Sequence, residues 1–158
     1  MKRFSALICS LLSLLAQAQV TAVYKPGDNP NKDIAVLENE YIRAEFSSVG
    51  GRLISFKDKR INIDLTYKDG ALRDQLVPNG VQPFPDSVYR ITISENTPRR
   101  ASIVFAAPAV NEREFIRISR TVVLESNSTA LKVSVTITNQ HLSTLWQEST
   151  VTTRLSTL

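Results

Sequence analysis

Cysteine, histidine, methionine and tryptophan each occur once in the 158 residues, as Cys9, His141, Met1 and Trp146. A single cysteine excludes an intrachain disulfide framework, and with only one histidine it excludes the clustered Cys/His sets of structural zinc sites. No basic run exceeds two residues, as at Arg99-Arg100, so the footprint of a nucleic-acid-binding or acidic-membrane-binding face is missing. Gly50-Gly51 is not followed by a nucleotide-binding pattern, and "DLTYKD" lacks the spacing of a calcium loop. Long apolar runs are also scarce. The longest, Phe4 to Leu15, is about a dozen residues, against roughly 20 needed to cross a bilayer.

What that short run does fit is a secretory signal. Lys2 and Arg3 precede "FSALICSLLSLL", and Ala16-Gln17-Ala18 supplies small residues at both cleavage-determining positions. Residues 1–18 are therefore expected to be removed after Ala18, with the mature chain exported to a periplasmic or extracellular location and not inserted in a membrane. Cys9 lies within the apolar run, too early for lipid attachment. Cleavage removes it together with two positive charges, leaving a cysteine-free chain with a net charge of about +2. Burial of apolar surface must then supply the stability.

Residues 19–32, "QVTAVYKPGDNPNK", are rich in turn-forming Pro, Gly and Asn and predict a flexible lead-in. From residue 33 onward apolar residues recur with period two, the mark of extended strands. In "ALKVSVTITN" Leu131, Val133, Val135 and Ile137 share one face, and Lys132, Ser134, Thr136 and Thr138 the other. "EYIRAEF" places Ile42, Ala44 and Phe46 together, and "INIDL" places Ile61, Ile63 and Leu65 together. Further strands are predicted at 33–37, 52–57, 88–94, 101–106, 115–124 and 146–154, separated by turn signals. The fold class is therefore all-β, an antiparallel β-sandwich over residues 33–158. Residues 69–87, with three prolines and two glycines, interrupt the rhythm as a long loop, either a plain crossover or a ligand-facing segment. The final strand runs into the terminus without a turn, which reads as a domain cut short at its C-terminal end.

Three stretches, in order, carry a family resemblance: "LENEYIRAEF", "GGRLISFKDKR" and "ISRTVVLESNSTALKVSVTITN". Together they resemble the galactose-mutarotase-like, or aldose 1-epimerase-like, β-supersandwich family; they run over most of residues 34–139, and the resemblance implies that the chain corresponds to the family's N-terminal half. The resemblance implies a supersandwich that handles carbohydrate. Epimerase members use two histidines and a glutamate, because ring opening needs an acid and a base. Here His141 stands alone in the turn after Thr138-Asn139, and "WQESTVTTRL" offers threonine and arginine where the first catalytic histidine is expected. The expectation is a carbohydrate-binding domain with no catalytic residues of its own, no cofactor and no metal. Its alternatives are a fragment of a sugar epimerase or polysaccharide-processing enzyme, and an envelope scaffold or protein-interaction domain.

Sugars are held by aromatic faces and by planar polar groups that bond their hydroxyls. Candidate ligand-binding residues are Arg52 after the glycine pair, Tyr67, Arg73 and Asp74 around the long loop, and Trp146, Glu148 and Arg154 on the last strand. Arg52 has two readings: a guanidinium projected over the sheet, or a solvated strand residue paired with a carboxylate. Trp146, the single tryptophan, reads first as core and second as a ligand-facing ring. Asn127-Ser128-Thr129 matches a glycosylation acceptor, meaningful only in an organism that uses it. An incomplete sandwich would expose sheet edges, so self-association is expected as well.

Overall fold

Alternation of apolar and polar side chains dictates the strands, and the strands dictate two layers. In a computed structural model of the chain, described for residues 19–66, 71–72, 87–108, 116–139 and 148–156, two antiparallel five-stranded sheets face each other. The first contains β1 (Thr21–Lys25), β2 (Ile34–Glu38), β3 (Ile42–Ser47), β4 (Leu53–Asp58) and β5 (Ile63–Asp64), side by side in chain order. The second contains β6 (Arg90–Asn96), β7 (Arg100–Ala106), β8 (Ile116–Glu125), β9 (Ala130–Asn139) and β10 (Glu148–Ser156), again with consecutive neighbours. The expected signal, residues 1–18, lies outside the described residues.

The core lies between the sheets. Ala35, Leu37, Ile42, Ala44, Phe46 and Leu53 meet Ala101, Ile103, Phe105, Ile118, Val122, Leu124, Leu131 and Val133. Phe46 and Phe105 join the layers, with ring centroids 5.3 Å apart in a tilted contact. The face expected for Leu131, Val133, Val135 and Ile137 points inward: the first two are buried, and the second two are half-buried at the margin of the core.

Polar side chains join the layers where burial leaves backbone groups to satisfy. Buried Asn39 accepts at Oδ1 from the backbone N–H of Tyr41 and Ile42, both at 2.9 Å. Its Nδ2 donates to the carbonyls of Glu125 and Ser128 at 2.8 and 2.7 Å, tying the β2–β3 turn to the β8–β9 turn. Asn96 works like a short extra strand on the edge of β1: Ala22 N donates to its Oδ1 at 2.9 Å, and its Nδ2 donates to Ala22 O at 3.1 Å. Beside it Val20 N donates to Pro98 O at 3.2 Å. One side of the sandwich is thereby closed along β1 and β6.

Two sequence expectations differ from the structure. The lead-in over 19–32 contains β1, paired with β2 from Thr21↔Glu38 to Lys25↔Ile34, and Val20 and Ala22 are buried. The turn residues after Lys25 masked a short inward-outward alternation. "INIDL" is not a half-buried strand: only Ile63–Asp64 pair with β4, and Ile61, Ile63 and Leu65 are 60%, 51% and 50% exposed. Asn62 takes a left-handed conformation at φ 58°, which breaks the alternation. The Asp64 carboxylate then replaces ladder partners, accepting from Phe56 N at 3.1 Å, Thr66 N at 2.9 Å and Ser55 Oγ at 2.6 Å.

Candidate functional site

The glycine pair forms the link between β3 and β4. Gly50 and Gly51 both have positive φ, 67° and 58°, which side-chain-bearing residues seldom adopt. The turn docks on the chain entering the second sheet: Gly50 N donates to Ser87 O at 2.8 Å, Tyr89 N donates to Ser48 O at 2.8 Å, and Val49 bridges Val88. A side chain at Gly51 would meet Arg120 Nη1 and Tyr89 Cδ2, each 3.3 Å from the Cβ position. Close approach and backbone conformation both require glycine there.

Beneath the turn lies Arg120, 1% exposed and among the largest fully buried side chains. Its Nη1 donates to the carbonyl of Gly51. The β8 pattern explains the burial: Ile118, Arg120, Val122 and Leu124 occupy the inward phase of the strand, so arginine stands where the alternation demands an apolar residue. The "DK" turn at the other end of β4 uses a similar device. Buried Asp58 accepts from Arg60 N at 2.9 Å, Nε at 3.1 Å and Nη2 at 2.6 Å, a forked charge-assisted pairing.

Arg52, the residue after the glycines, donates from Nε to Val49 O at 3.2 Å. It therefore braces the turn that Val49 makes with Val88. No ion pair joins it to a carboxylate among the described residues. Tyr67, Arg73, Asp74, Trp146 and His141 lie outside the described residues. Glu148 and Arg154 stand at the two ends of β10 on the same strand face, since the β9–β10 register runs without a shift from Glu148↔Thr138 to Ser156↔Ala130.

A pocket of about 300 Å³ opens next to the docked turn, lined by Val88, Arg90, Ala106, Ala107, Pro108 and Arg117. Register accounts for its shape. Arg90 lies opposite Ala106, and Ala106 opposite Ser119, so β7 ends in small residues between two strands that carry long cations on the outer face. The same face continues in hydroxyls, with Ser119 opposite Thr136 and Thr121 opposite Ser134. A second pocket, about 420 Å³, sits at the other end of β7 between Arg99, Arg100, Glu125, Ser126 and Asn127.

The outer face of the first sheet differs in character. Arg43 pairs with Glu38 at 2.7 Å and Glu45 at 2.6 Å, and Lys59 pairs with Glu38 at 2.8 Å. Partial burial works against the charge of Glu38, but Lys59 and Arg43 outweigh it and hold the carboxyl below its ordinary range. Those side chains pair with one another, and the pocket beside Val88 carries Arg90 and Arg117 next to Ala106, Ala107 and Pro108. Among the described residues no group of three or more His, Cys, Asp or Glu could hold a metal ion, and no helix is long and apolar enough to cross a membrane.

Neither Arg90 nor Arg117 stood out in the sequence, because outward positions of many strands carry polar residues. Arg120 left a legible signal, a charge in the apolar phase of "ISRTVVLE".

No family model and no curated protein sequence matches the chain. Among solved structures it is similar to an alpha-mannosidase from Enterococcus faecalis V583, at 18% identity and a TM-score of 0.47 over 66% of this chain and 16% of that one. It is also similar to a TPR-domain containing protein from Parabacteroides distasonis ATCC 8503, at 16% identity and a TM-score of 0.48 over 77% of this chain and 28% of that one. The chain thus spans less than a third of either protein.

Proposed function

We propose that the chain is an exported domain that binds carbohydrate and carries no complete catalytic site. The observation behind this reading is the pocket of about 300 Å³ between Arg90 and Arg117. Its volume falls in the range of small-ligand sites. Ala106, Ala107 and Pro108 in its lining suit the C–H face of a sugar ring, and the Arg90 guanidinium fork suits a pair of neighbouring hydroxyls. The three motifs that resemble the mutarotase-like family support the same reading. Arg52 enters as a positioning residue through Val49 and Val88. Export rests on residues 1–18, and N-terminal sequencing of the exported protein should begin at Gln19.

Calorimetric titration with a panel of mono- and oligosaccharides tests the site. Saturable heat is expected, with Arg90→Ala and Arg117→Ala each weakening affinity about tenfold or more, since a hydrogen bond to a charged group contributes about 1.5–3 kcal/mol. Arg52→Ala should weaken binding less. No heat with any sugar, from protein that melts cooperatively, would sink the reading. A second reading, a protein-interaction domain, draws on one observation: among the described residues, β5 and β10 are the outermost strands on the side of the sandwich opposite the β1–β6 seam.

A further inference from the structure

Among the described residues, most outer strand edges carry a device that blocks pairing with another chain. The edge of β1 is occupied by the Asn96 amide. The edge strand β5 is two residues long. The register of β6 on β7 shifts between Ile93 and Glu95. Short edges and bulges of this kind keep sheets from adding strands.

Strand β10 carries none of these. It runs nine residues, Glu148–Ser156, without proline, glycine or bulge. One edge is bonded to β9 throughout, and no strand among the described residues pairs with the other. A regular strand of this length is a template for a further strand.

Its sequence, "ESTVTTRLS", identifies the strand that fits. Two copies meeting edge to edge about a two-fold axis perpendicular to the sheet run antiparallel. The axis preserves the faces of the sheet, so it must pass beside a residue that faces its own copy. With Val151 at the centre, Glu148 lies opposite Arg154 of the second copy, and Arg154 opposite its Glu148. Ser149 then faces Thr153, Thr150 faces Thr152, and Val151 faces Val151. The only two charges of the strand are matched twice, and every other pair between them is hydroxyl-bearing or β-branched, which favours cross-strand contact. Centring on Thr150 instead sets Glu148 against Thr152, and centring on Thr152 sets Glu148 against Ser156 and Arg154 against Thr150. Only the Val151 register is self-complementary in charge.

We infer that the chain forms a symmetric dimer in which β10 pairs antiparallel with β10 of a second copy about Val151, merging the two five-stranded sheets into one continuous sheet. The half-buried residues Val135, Ile137 and Leu155 pack at the margin of the core, so the second copy adds its own apolar face beside theirs. This does not depend on the sugar-binding reading.

Sedimentation of the purified protein over a concentration series, at low and high salt, tests the pairing. A monomer–dimer equilibrium weakened by salt is expected. Glu148→Arg sets like charges opposite each other at both symmetric positions and should weaken the dimer about tenfold or more, as should Arg154→Glu. The double variant carrying both changes restores opposite charges and should recover most of the affinity. Far-UV circular dichroism and melting confirm that each variant keeps its fold. A wild-type chain that stays monomeric, a dimer indifferent to both reversals, or a double variant no better than the singles would overturn the inference.

Discussion

At the scale of single residues, the positions with the strongest structural demands are those that break their surroundings' pattern. Gly51 is one: it sits at φ 58°, and a Cβ there would come within 3.3 Å of Arg120 Nη1 and Tyr89 Cδ2, so those neighbours would have to shift. Gly51→Ala adds the left-handed backbone cost of about 1–2 kcal/mol and a tight Cβ contact, so a loss of about 2 kcal/mol in urea unfolding is expected. Arg120 went unread, although counting alternate residues along β8 places it in the inward phase. Its partner was illegible, since a bond to a backbone carbonyl 69 residues away leaves no trace in local pattern. The pocket arginines were illegible for a related reason: Arg90 and Arg117 occupy ordinary outward positions, and only register brings them to either side of Ala106.

At the scale of elements, alternation located eight of the ten strands to within a few residues. β1 was hidden by the turn-rich residues that follow it, and "INIDL" was over-read because side-chain bonds compete with a ladder. Asp64 illustrates that competition and gives the β4–β5 region a pH dependence. Partial burial opposes its charge, but Ser55 and the backbone N–H groups of Thr66 and Phe56 prevail, holding its pKa at about 2 against an ordinary 3.8. A depressed carboxylate stabilises the fold above its unfolded value, and the contribution disappears as pH falls through the folded one. The stability difference between wild type and Asp64→Asn should therefore hold steady above about pH 5 and shrink from about pH 4 to pH 2, read as urea midpoints across that range.

For the whole molecule, each sheet is a local meander, and only a few polar groups and the shared core bind the layers into one unit. Asn39 matters most among these, because one amide serves four backbone groups on two turns. Asn39→Ala leaves the Glu125 and Ser128 carbonyls without that donor, and a loss of about 2–3 kcal/mol is expected, with β3 and β8 amides losing hydrogen-exchange protection together. Protection lost in β3 alone would mean the layers unfold separately. Because each sheet is a run of consecutive strands, β1 to β5 leave the ribosome as a finished layer before any of its cover exists. The apolar face of Ala35, Leu37, Ile42, Ala44 and Phe46 then waits for residues 101–124. At ~5–20 residues per second that wait lasts roughly three to twelve seconds, long enough for the half-made chain to be a client of holding chaperones.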